Sequence, residues 1–586
     1  MRDNITIVSA GAGSGKTYRL AEEVLKAVQN NSARPEAILL TTFTRKAAAE
    51  LEERVRLRLL ENKAWEQAQR LRQAWIGTID SVCLRLIQEY AFEAGQSPEL
   101  SVFAPGEDRV EFNRALTDTV ESEEWRQLDQ LSNSLALGTG FGRQFDWRDL
   151  VKQIADGARS NRIAPEQLSE SARKSIESYL PVFPKGEKSA DSLDRELEAA
   201  LGKAAAALQK NIDNGAHATK YTANALEYIK RIAGRLGATG KISWADWVKL
   251  SKLKVGKKSE SFIAGLHAAA AYHFEHPRLH DEIATFITLV FKLAEQSLKR
   301  YQETKRAAGL LDFIDLEERC LELLDNKQVR AALKEKIDLV LVDEFQDTSP
   351  IQLALFLKLA EIAKRSVWVG DQKQSIFDFR GADPVLMQSV LENIKPDDRL
   401  ETSFRSRPAL VSLVNQAFTP VFPQQGITEK IDLKANRKEI LNSLPCESWV
   451  LNTKNQKADF AAIADRIQTI LENAKNYPVV DRQSKQSRPI RPADIAVLAR
   501  NNAACFELAD AIALRGIAVE LARPGLLSAP EVILALAALR ILLNPSDSMA
   551  AAQLTFLWNA RDDQLESWLL PRLEEYSAWQ KARDEG

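Results

Sequence analysis

Three short stretches carry residue types whose spacing could do chemistry. The first, Ile5 to Thr17, reads I-T-I-V-S-A-G-A-G-S-G-K-T. It is a short apolar strand, a Gly-rich turn and the start of a helix expected to run from about Thr17 to Val28. The turn Ala10-Gly11-Ala12-Gly13-Ser14-Gly15 would point successive backbone N–H groups at one place. The helix N-terminus adds partial positive charge, so triphosphate oxygens can be held there. Lys16 would neutralise the outer phosphates, and Thr17 would offer a hydroxyl to Mg²⁺. Ala10 stands where the usual G-x-x-x-x-G-K-[ST] pattern has its first glycine. The second stretch is the apolar strand Ile337 to Val342, ending in Asp343 and Glu344. Two carboxylates at that end are costly near a core unless a cation pairs with them. Read alone they would be a helix N-cap and a surface acid. Beside a phosphate loop, Asp343 can hold Mg²⁺ through water while Glu344 orients and deprotonates an attacking water. The third stretch follows a strand at Ser366 to Val369 and reads G-D-Q-K-Q-S-I-F-D-F-R-G-A-D from Gly370 to Asp383. Gln374 is placed to sense the terminal phosphate, and Phe377, Phe379 and Arg380 lie one turn further on, on a side that could face DNA.

These side chains need a scaffold that brings three distant stretches to one edge, and the pattern between them supplies it. Ala37 to Thr42 is a second apolar run leading into the charged, Ala-rich helix Phe43 to Arg54, and Trp75 to Leu86 repeats the logic with Gly77, Thr78 and Ser81 on the turn. Strand, turn and helix in succession imply βα units of a parallel sheet, whose ligands meet the loops at the carboxyl ends of the strands. Thr42, Phe43, Thr44, Arg45 and Lys46 therefore sit where hydroxyls and cations could hold a polyanion and a ring could meet a base. The same residues also fit a solvated helix cap. The sheet is expected to return at Leu310 to Leu316 and to continue with Ile337 to Val342.

Between these halves, from about Glu93 to His280, the chain turns to Ala-, Leu- and Glu/Lys-rich segments at helical period, with clear helices at Glu198 to Gln209 and Thr219 to Leu236. Lys241 to Lys258 holds six lysines with Trp244 and Trp247. Basic residues beside aromatic ones suit a groove that tracks a nucleic-acid strand. A solvated face over two core tryptophans fits equally. The five histidines all lie in this region, spread along helices. Beyond Lys395 a second α/β unit is expected, with a helix at Pro408 to Phe418 and strands at Cys446 to Leu451, Asp494 to Ala499 and Ile517 to Leu521. Asn452 to Lys457 and Asp481 to Pro492 read as loops, and Pro530 to Leu543 as a helix.

The 586 residues are 45% hydrophobic and 27% charged with a formal net charge of -2. That is an ordinary globular composition for several domains, and any nucleic-acid surface must be local. Four cysteines, Cys83, Cys320, Cys446 and Cys505, form no C-x-x-C pair, which suits reduced thiols and gives no metal-ligand spacing. The first strand begins almost at once and no apolar run approaches the ~18 residues of a spanning helix, so a cytoplasmic protein without a membrane partner is expected.

In these motifs the sequence resembles the UvrD/Rep-like superfamily 1 helicases, and within them the larger RecB- and AddA-type motor subunits. The resemblance is carried by A-G-A-G-S-G-K-T at 10 to 17, T-F-T-R-K-A-A-A-E-L at 42 to 51, G-T-I-D-S at 77 to 81 and L-D-F-I-D-L at 311 to 316. It continues in V-D-E-F-Q-D-T-S-P-I-Q at 342 to 352, V-G-D-Q-K-Q-S-I-F-D-F-R-G-A-D at 369 to 383 and S-F-R-S at 403 to 406, with a looser match at D-I-A-V-L-A-R-N-N, 494 to 502. The resemblance implies an α/β fold of RecA-like P-loop NTPase motor domains with large inserted helical domains. It also implies ATP and Mg²⁺ between two motors, and 3′-to-5′ movement on single-stranded DNA or on a duplex with a single-stranded tail. The expected division is a first motor at 1–92 and 281–395, a helical insertion at 93–280, a second motor at 396–529 and the start of a second insertion at 530–586. Carried over by position, Lys16 and Thr17 hold phosphates and Mg²⁺, Asp343 the metal, Glu344 the water and Gln374 the γ-phosphate. Arg405 is an arginine finger from the second motor, and Phe404 stacks on adenine. Thr42, Phe43, Thr44, Thr78, Phe377, Phe379 and Arg380 line the DNA track.

The sequence departs from that family in places. Asp80 stands where histidine is usual, and Phe377, Phe379 and Phe404 stand where tyrosine or tryptophan is common. The T-x-H-x-x-K-G-L-E and V-A-x-T-R-A blocks are not found, and no nuclease carboxylate cluster is recognisable. The expectation is therefore a fragment, or a motor completed by another polypeptide such as a nuclease subunit, that binds ATP and DNA but turns over slowly alone. The competing reading is a non-motor, ATP-gated DNA-binding switch.

Overall fold

The computed structural model describes residues 4–93, 95, 100–104, 106–137, 145–214, 219–375, 384–394, 398–425, 432–438, 445–481, 484, 486–523 and 525–559. The chain divides into two compact units, Met1–Lys438 and Glu439–Gly586.

The first unit is built on a six-stranded sheet. Its strands are β1 (Ile5–Ala10), β2 (Ile38–Thr42), β3 (Trp75–Thr78), β4 (Leu339–Val342), β5 (Arg365–Gly370) and β6 (Asp398–Leu400), in the order β3-β2-β4-β5-β1-β6. Every neighbouring pair is parallel. Both faces are covered, so the strands read as continuous apolar runs whose alternate residues serve opposite cores. Leu39, Val340, Val342 and Trp368 enter one core with Leu86, Leu355 and Phe356. Ile38, Leu40, Leu339, Leu341, Val367 and Val369 enter the other with Leu20, Val24, Leu51 and Val55. A parallel sheet puts all its strand carboxyl ends on one edge, which is why the motifs converge although they come from residues as far apart as 10 and 400. Strand β6 adds to this same sheet beyond the 395/396 boundary expected from the sequence.

At the opposite end of β4, Asp338 ties the sheet together. Its buried carboxylate accepts from the Arg34 backbone N–H at 2.9 Å and Nε at 2.8 Å, and pairs with Lys364 Nζ at 2.8 Å. Burial alone would raise its pKa, but Arg34 and Lys364 hold it at about 2. A depressed carboxylate contributes stability that is fully present above its unfolded pKa of about 4 and is lost as pH falls through the folded value. Asp338→Asn is therefore expected to flatten the acid unfolding limb between about pH 4 and pH 2, read by circular dichroism. Parallel acid limbs for the two proteins would contradict this.

The helical segments between β3 and β4 form two cores. Phe112, Trp147, Val151 and Tyr301 belong to one, and Leu197, Ile229, Trp247 and Leu266 to the other. The 32-residue helix Pro277–Ala308 gives Leu279 to the second and Phe286, Val290 and Leu293 to the first. Of the two readings of the Lys241–Lys258 stretch, the base-stacking one fails for its tryptophans. Trp244 is 5% and Trp247 0% exposed, and each is edge-on to the buried His276 ring.

The expected strand at Leu310 to Leu316 is corrected. Only Leu310–Leu311 is strand, paired with Ser101–Val102 outside the main sheet. Asp312 and Asp315 then accept each other's backbone N–H at 2.9 Å, a capping box that starts helix Phe313–Leu323.

In the second unit, helices Gln456–Glu472 and Asn502–Ala513 pack through Phe460, Ala464, Ile467, Leu508 and Ile512. The strands expected at Cys446 to Leu451, Asp494 to Ala499 and Ile517 to Leu521 do not form among the described residues. Val450 and Leu498 are 93% and 94% exposed. A short apolar run becomes a strand only against a partner ladder. The run Asp481 to Pro492, expected as loop, instead supplies Ser487–Pro489, antiparallel to Pro478–Val480.

Candidate functional site

Strand β1 ends at buried Ala10, and the loop Gly11 to Gly15 closes on itself, with Ser14 N–H and Oγ both donating to Gly11 O at 3.2 and 2.7 Å. Helix Lys16–Gln29 begins immediately, with Gly15 at φ 91° as its N-cap and no side-chain cap. No side chain competes there for the first N–H groups, which suits an anion.

Lys16 Nζ reaches across to Glu344 Oε2 at the end of β4. Glu344 has φ 51°, a left-handed conformation costly for a residue with a Cβ. Such strain is retained where the surroundings fix it. Here they do. Gln346 Nε2 donates to the same Glu344 Oε2 at 2.8 Å, and Gln346 Oε1 accepts from Asp371 N–H at 2.9 Å. Asp371 in turn accepts from Gln374 Nε2 at 2.6 Å and pairs with Lys373 Nζ at 2.7 Å. A Cβ on Gly370 would lie 2.9 Å from Gln346 Oε1, so glycine is what lets this amide seat between β4 and β5. One continuous polar chain thus runs Lys16, Glu344, Gln346, Asp371, Gln374. The amide nitrogen of Gln374 keeps a second hydrogen for another acceptor.

Burial pushes Asp343 up to about 6, the neighbouring Glu344 adds to the shift, and Lys16 opposes it. Two carboxylates face one lysine here, so a divalent cation fits the missing charge. Asp343 and the Thr17 hydroxyl are the residues that would hold it. Among the described residues no group of three or more His, Cys, Asp or Glu side chains could hold a metal by itself. A magnesium ion at this site would take the rest of its shell from water and phosphate.

Beyond β6, the segment Ser403 to Arg405 lies on the phosphate loop. Phe404 N–H donates to Gly13 O at 2.9 Å. A Cβ on Gly13, whose φ is +71°, would stand 2.5 Å from Arg405 Cβ and 3.5 Å from its Cδ. The Arg405 stem therefore crosses the loop. Phe404 is 53% and Tyr18 54% exposed, and both come within 4.0 Å of the Cβ position at Gly15. Arg58 covers the Tyr18 ring at 4.5 Å. Tyr18 and Gln346 have no assigned role in the sequence reading. Tyr18 offered a signal, an aromatic side chain directly after G-K-T.

Thr42 and Thr78 end β2 and β3 in direct register. The Thr42 hydroxyl is buried without a hydrogen-bond partner among the described residues. Thr44 and Thr78 cap the next helices, accepting from Ala47 N–H at 3.1 Å and Ser81 N–H at 3.3 Å. Phe43 is half-buried. Burial pushes Asp80, two residues beyond Thr78, up to about 6. Phe377, Phe379 and Arg380 lie outside the described residues. The sheet order thus sets the two candidate sites side by side, with Thr42 and Thr78 on β2 and β3 and the phosphate-binding set on β4, β5 and β1.

The UvrD/REP helicase N-terminal domain matches residues 2–395 and the UvrD-like helicase C-terminal domain matches 399–578. The chain belongs to the UvrD-like helicases. Among its relatives are proteins named as subunits of an ATP-dependent helicase/nuclease. That of Carboxydothermus hydrogenoformans is 26% identical, the alignment covering 98% of this chain and 55% of the relative. That of Listeria innocua is 25% identical over 94% of this chain and 50% of the relative. This UvrD-like chain therefore spans about half the length of the curated relatives it matches. Among its described residues no helix is long and apolar enough to cross a membrane.

Proposed function

We propose that this chain is the ATP-driven motor of a DNA helicase or translocase, moving 3′ to 5′ on single-stranded DNA in repair, recombination or phage defence. The name its relatives carry suggests a place beside a nuclease, and the setting is the cytoplasm. The observation that carries the reading is the polar chain from Lys16 through Glu344 and Gln346 to Gln374. It links a phosphate-binding loop to a water-activating carboxylate and to a residue that can feel the terminal phosphate. In this reading Gly11 to Lys16 bind the phosphates through backbone N–H groups and one ammonium, and Thr17 and Asp343 hold Mg²⁺. That ion supplies charge neutralisation at the phosphate oxygens. Glu344 leaves Lys16 when phosphate replaces it, and so becomes the base that positions the attacking water. Phe404 stacks on adenine, with Tyr18 as its facing wall. Gln374 passes the state of the phosphate to the segment that carries Phe377, Phe379 and Arg380, which with Thr42, Phe43, Thr44 and Thr78 holds DNA. The divisions at 92, 280, 395 and 529 remain the proposed domain plan, with helix Pro277–Ala308 running across the second and β6 continuing the first motor's sheet past the third.

The test is single-stranded-DNA-stimulated ATP hydrolysis by the chain and by Glu344→Gln. The variant should bind ATP and lose about a hundredfold or more in turnover, as removal of a general base does. Equal rates in the two proteins would mean that the site binds nucleotide without using it, as an ATP-gated switch would.

A further inference from the structure

The basic stretch of the helical region keeps a surface that the motor reading does not use. Helix Trp244–Ser251 buries Trp244, Trp247 and Leu250. Beside that buried face, Val248 and Lys249, with the chain to Lys254 and the end of helix Ser122–Ser134, line an open groove of about 480 Å³. The floor is Leu135, Val248 and Leu253, together with Trp244, and the rim is Lys249, Lys252 and Lys254. The floor is held in place. Trp244 Nε1 donates to Glu282 Oε2 at 2.8 Å, and the same oxygen accepts from Ser134 Oγ at 2.6 Å. These bonds lock the two helices that wall the groove.

The charge on its lining is one-sided, its charged residues being Lys249, Lys252 and Lys254. Residues 241–258 contain six lysines and a single acid, Asp246. That acid is turned inward, accepting from Tyr228 Oη at 2.8 Å and Ser243 Oγ at 2.8 Å and pairing with Arg235 at 3.3 Å. Lys249 lies over the Tyr228 ring at 4.1 Å. Among the described residues no carboxylate pairs with Lys252 or Lys254, and both are exposed. An apolar trough between unneutralised ammonium groups suits a ligand that brings its own apolar side chains and its own negative charge. Holding a single strand by base stacking needs flat exposed rings, and the two tryptophans are spent in the core.

We infer that this groove docks a partner protein through a short acidic segment with large apolar anchors. The lysines set the approach and orientation, and burial of the anchors on Val248 and Leu253 supplies the affinity.

Fluorescence anisotropy on the full chain tests this. The probe is a labelled peptide of roughly a dozen residues, rich in Asp and Glu, with Phe and Leu at helical spacing. A second peptide of equal charge carries Ala at the apolar positions, and an oligo-dT strand is the third probe. The acidic, apolar peptide should bind, and its affinity should fall about tenfold or more in Lys252→Glu/Lys254→Glu and again in Val248→Asp. The alanine peptide should bind at least tenfold more weakly. Melting temperature and ATP binding should be unchanged in the lysine variant, whose positions are solvated. Absence of peptide binding, equal binding of the alanine peptide, or a loss of oligo-dT binding in the lysine variant without loss of peptide binding would each overturn the inference.

Discussion

Arg405→Ala is expected to slow ATP hydrolysis by roughly 10³- to 10⁵-fold while changing ATP affinity far less, because an arginine finger acts on charge that develops only in the transition state. The geometry supports that split. The Arg405 stem lies across Gly13, and the Phe404 N–H bond to Gly13 O sets the register between the two segments. Leu433 covers Gly11, whose Cβ position is 2.6 Å from a Leu433 methyl, and Arg437 Nε donates to Phe404 O at 3.1 Å. The segment that carries the arginine is thus anchored on both sides, and its exposed side chain is the one the proposed function assigns to the reacting phosphate. Lysine should not rescue it, because a point charge lacks the planar fork. Single-turnover hydrolysis reads the slow rates, and a fluorescent ATP analogue reads binding. A rate within about tenfold of the parent, or a binding loss as large as the rate loss, would remove Arg405 from the chemistry.

What could be read without coordinates followed a rule about position. Ala10 to Thr17, Thr42 to Thr44, Thr78, Asp343 and Glu344, and Gln374 each follow an apolar strand, and a parallel sheet must bring such residues to one edge. The fold class followed from the same βα repeats. What could not be read depended on which strands are neighbours and which way a face turns. Gln346 matters because β4 and β5 are adjacent and Gly370 leaves room for its amide, and neither fact is in the local pattern. Leu310 to Leu316 is apolar enough to read as a strand. However, its two aspartates at a spacing of three satisfy the first N–H groups of a helix, and that local bonding prevails. Lysines beside Trp244 and Trp247 suggested a strand-tracking groove because composition does not record that the rings turn inward while the ammonium groups turn out. Residues 446–451, 494–499 and 517–521 carry short apolar runs with no ladder to join among the described residues.

The helical region and the sheet are joined by a buried ionic cluster, and Asp312→Asn is expected to destabilise the first unit by about 3–5 kcal/mol, the cost of breaking a buried pair from one side. Asp312 accepts from Arg159 at 2.7 and 2.9 Å, from Lys305 Nζ at 2.7 Å and from Tyr301 Oη at 3.1 Å. Asp315 takes Arg159 at 2.8 Å and Lys305 at 2.5 Å. Arg159 and Lys305 are 3% exposed, so neither can turn to water if a carboxylate is lost. Burial alone would raise the Asp312 pKa, but the two cations hold it well below the usual carboxylate range. Its contribution is therefore present above about pH 4 and declines in acid, where the parent and Asp312→Asn should converge. The effect reaches beyond one contact. Arg159 sits on helix Trp147–Ser160 and Lys305 on helix Pro277–Ala308. Asp312 opens helix Phe313–Leu323, which packs on the helices that follow β3 and β4. Weakening this cluster should loosen the helical region from the sheet before the sheet itself unfolds. Urea unfolding followed by tryptophan fluorescence, to which Trp125, Trp147, Trp244 and Trp247 of the helical cores contribute, should then lose its coincidence with far-ultraviolet circular dichroism. A variant within about 1 kcal/mol of the parent, with the two probes still superimposed, would show that the cluster is not the joint.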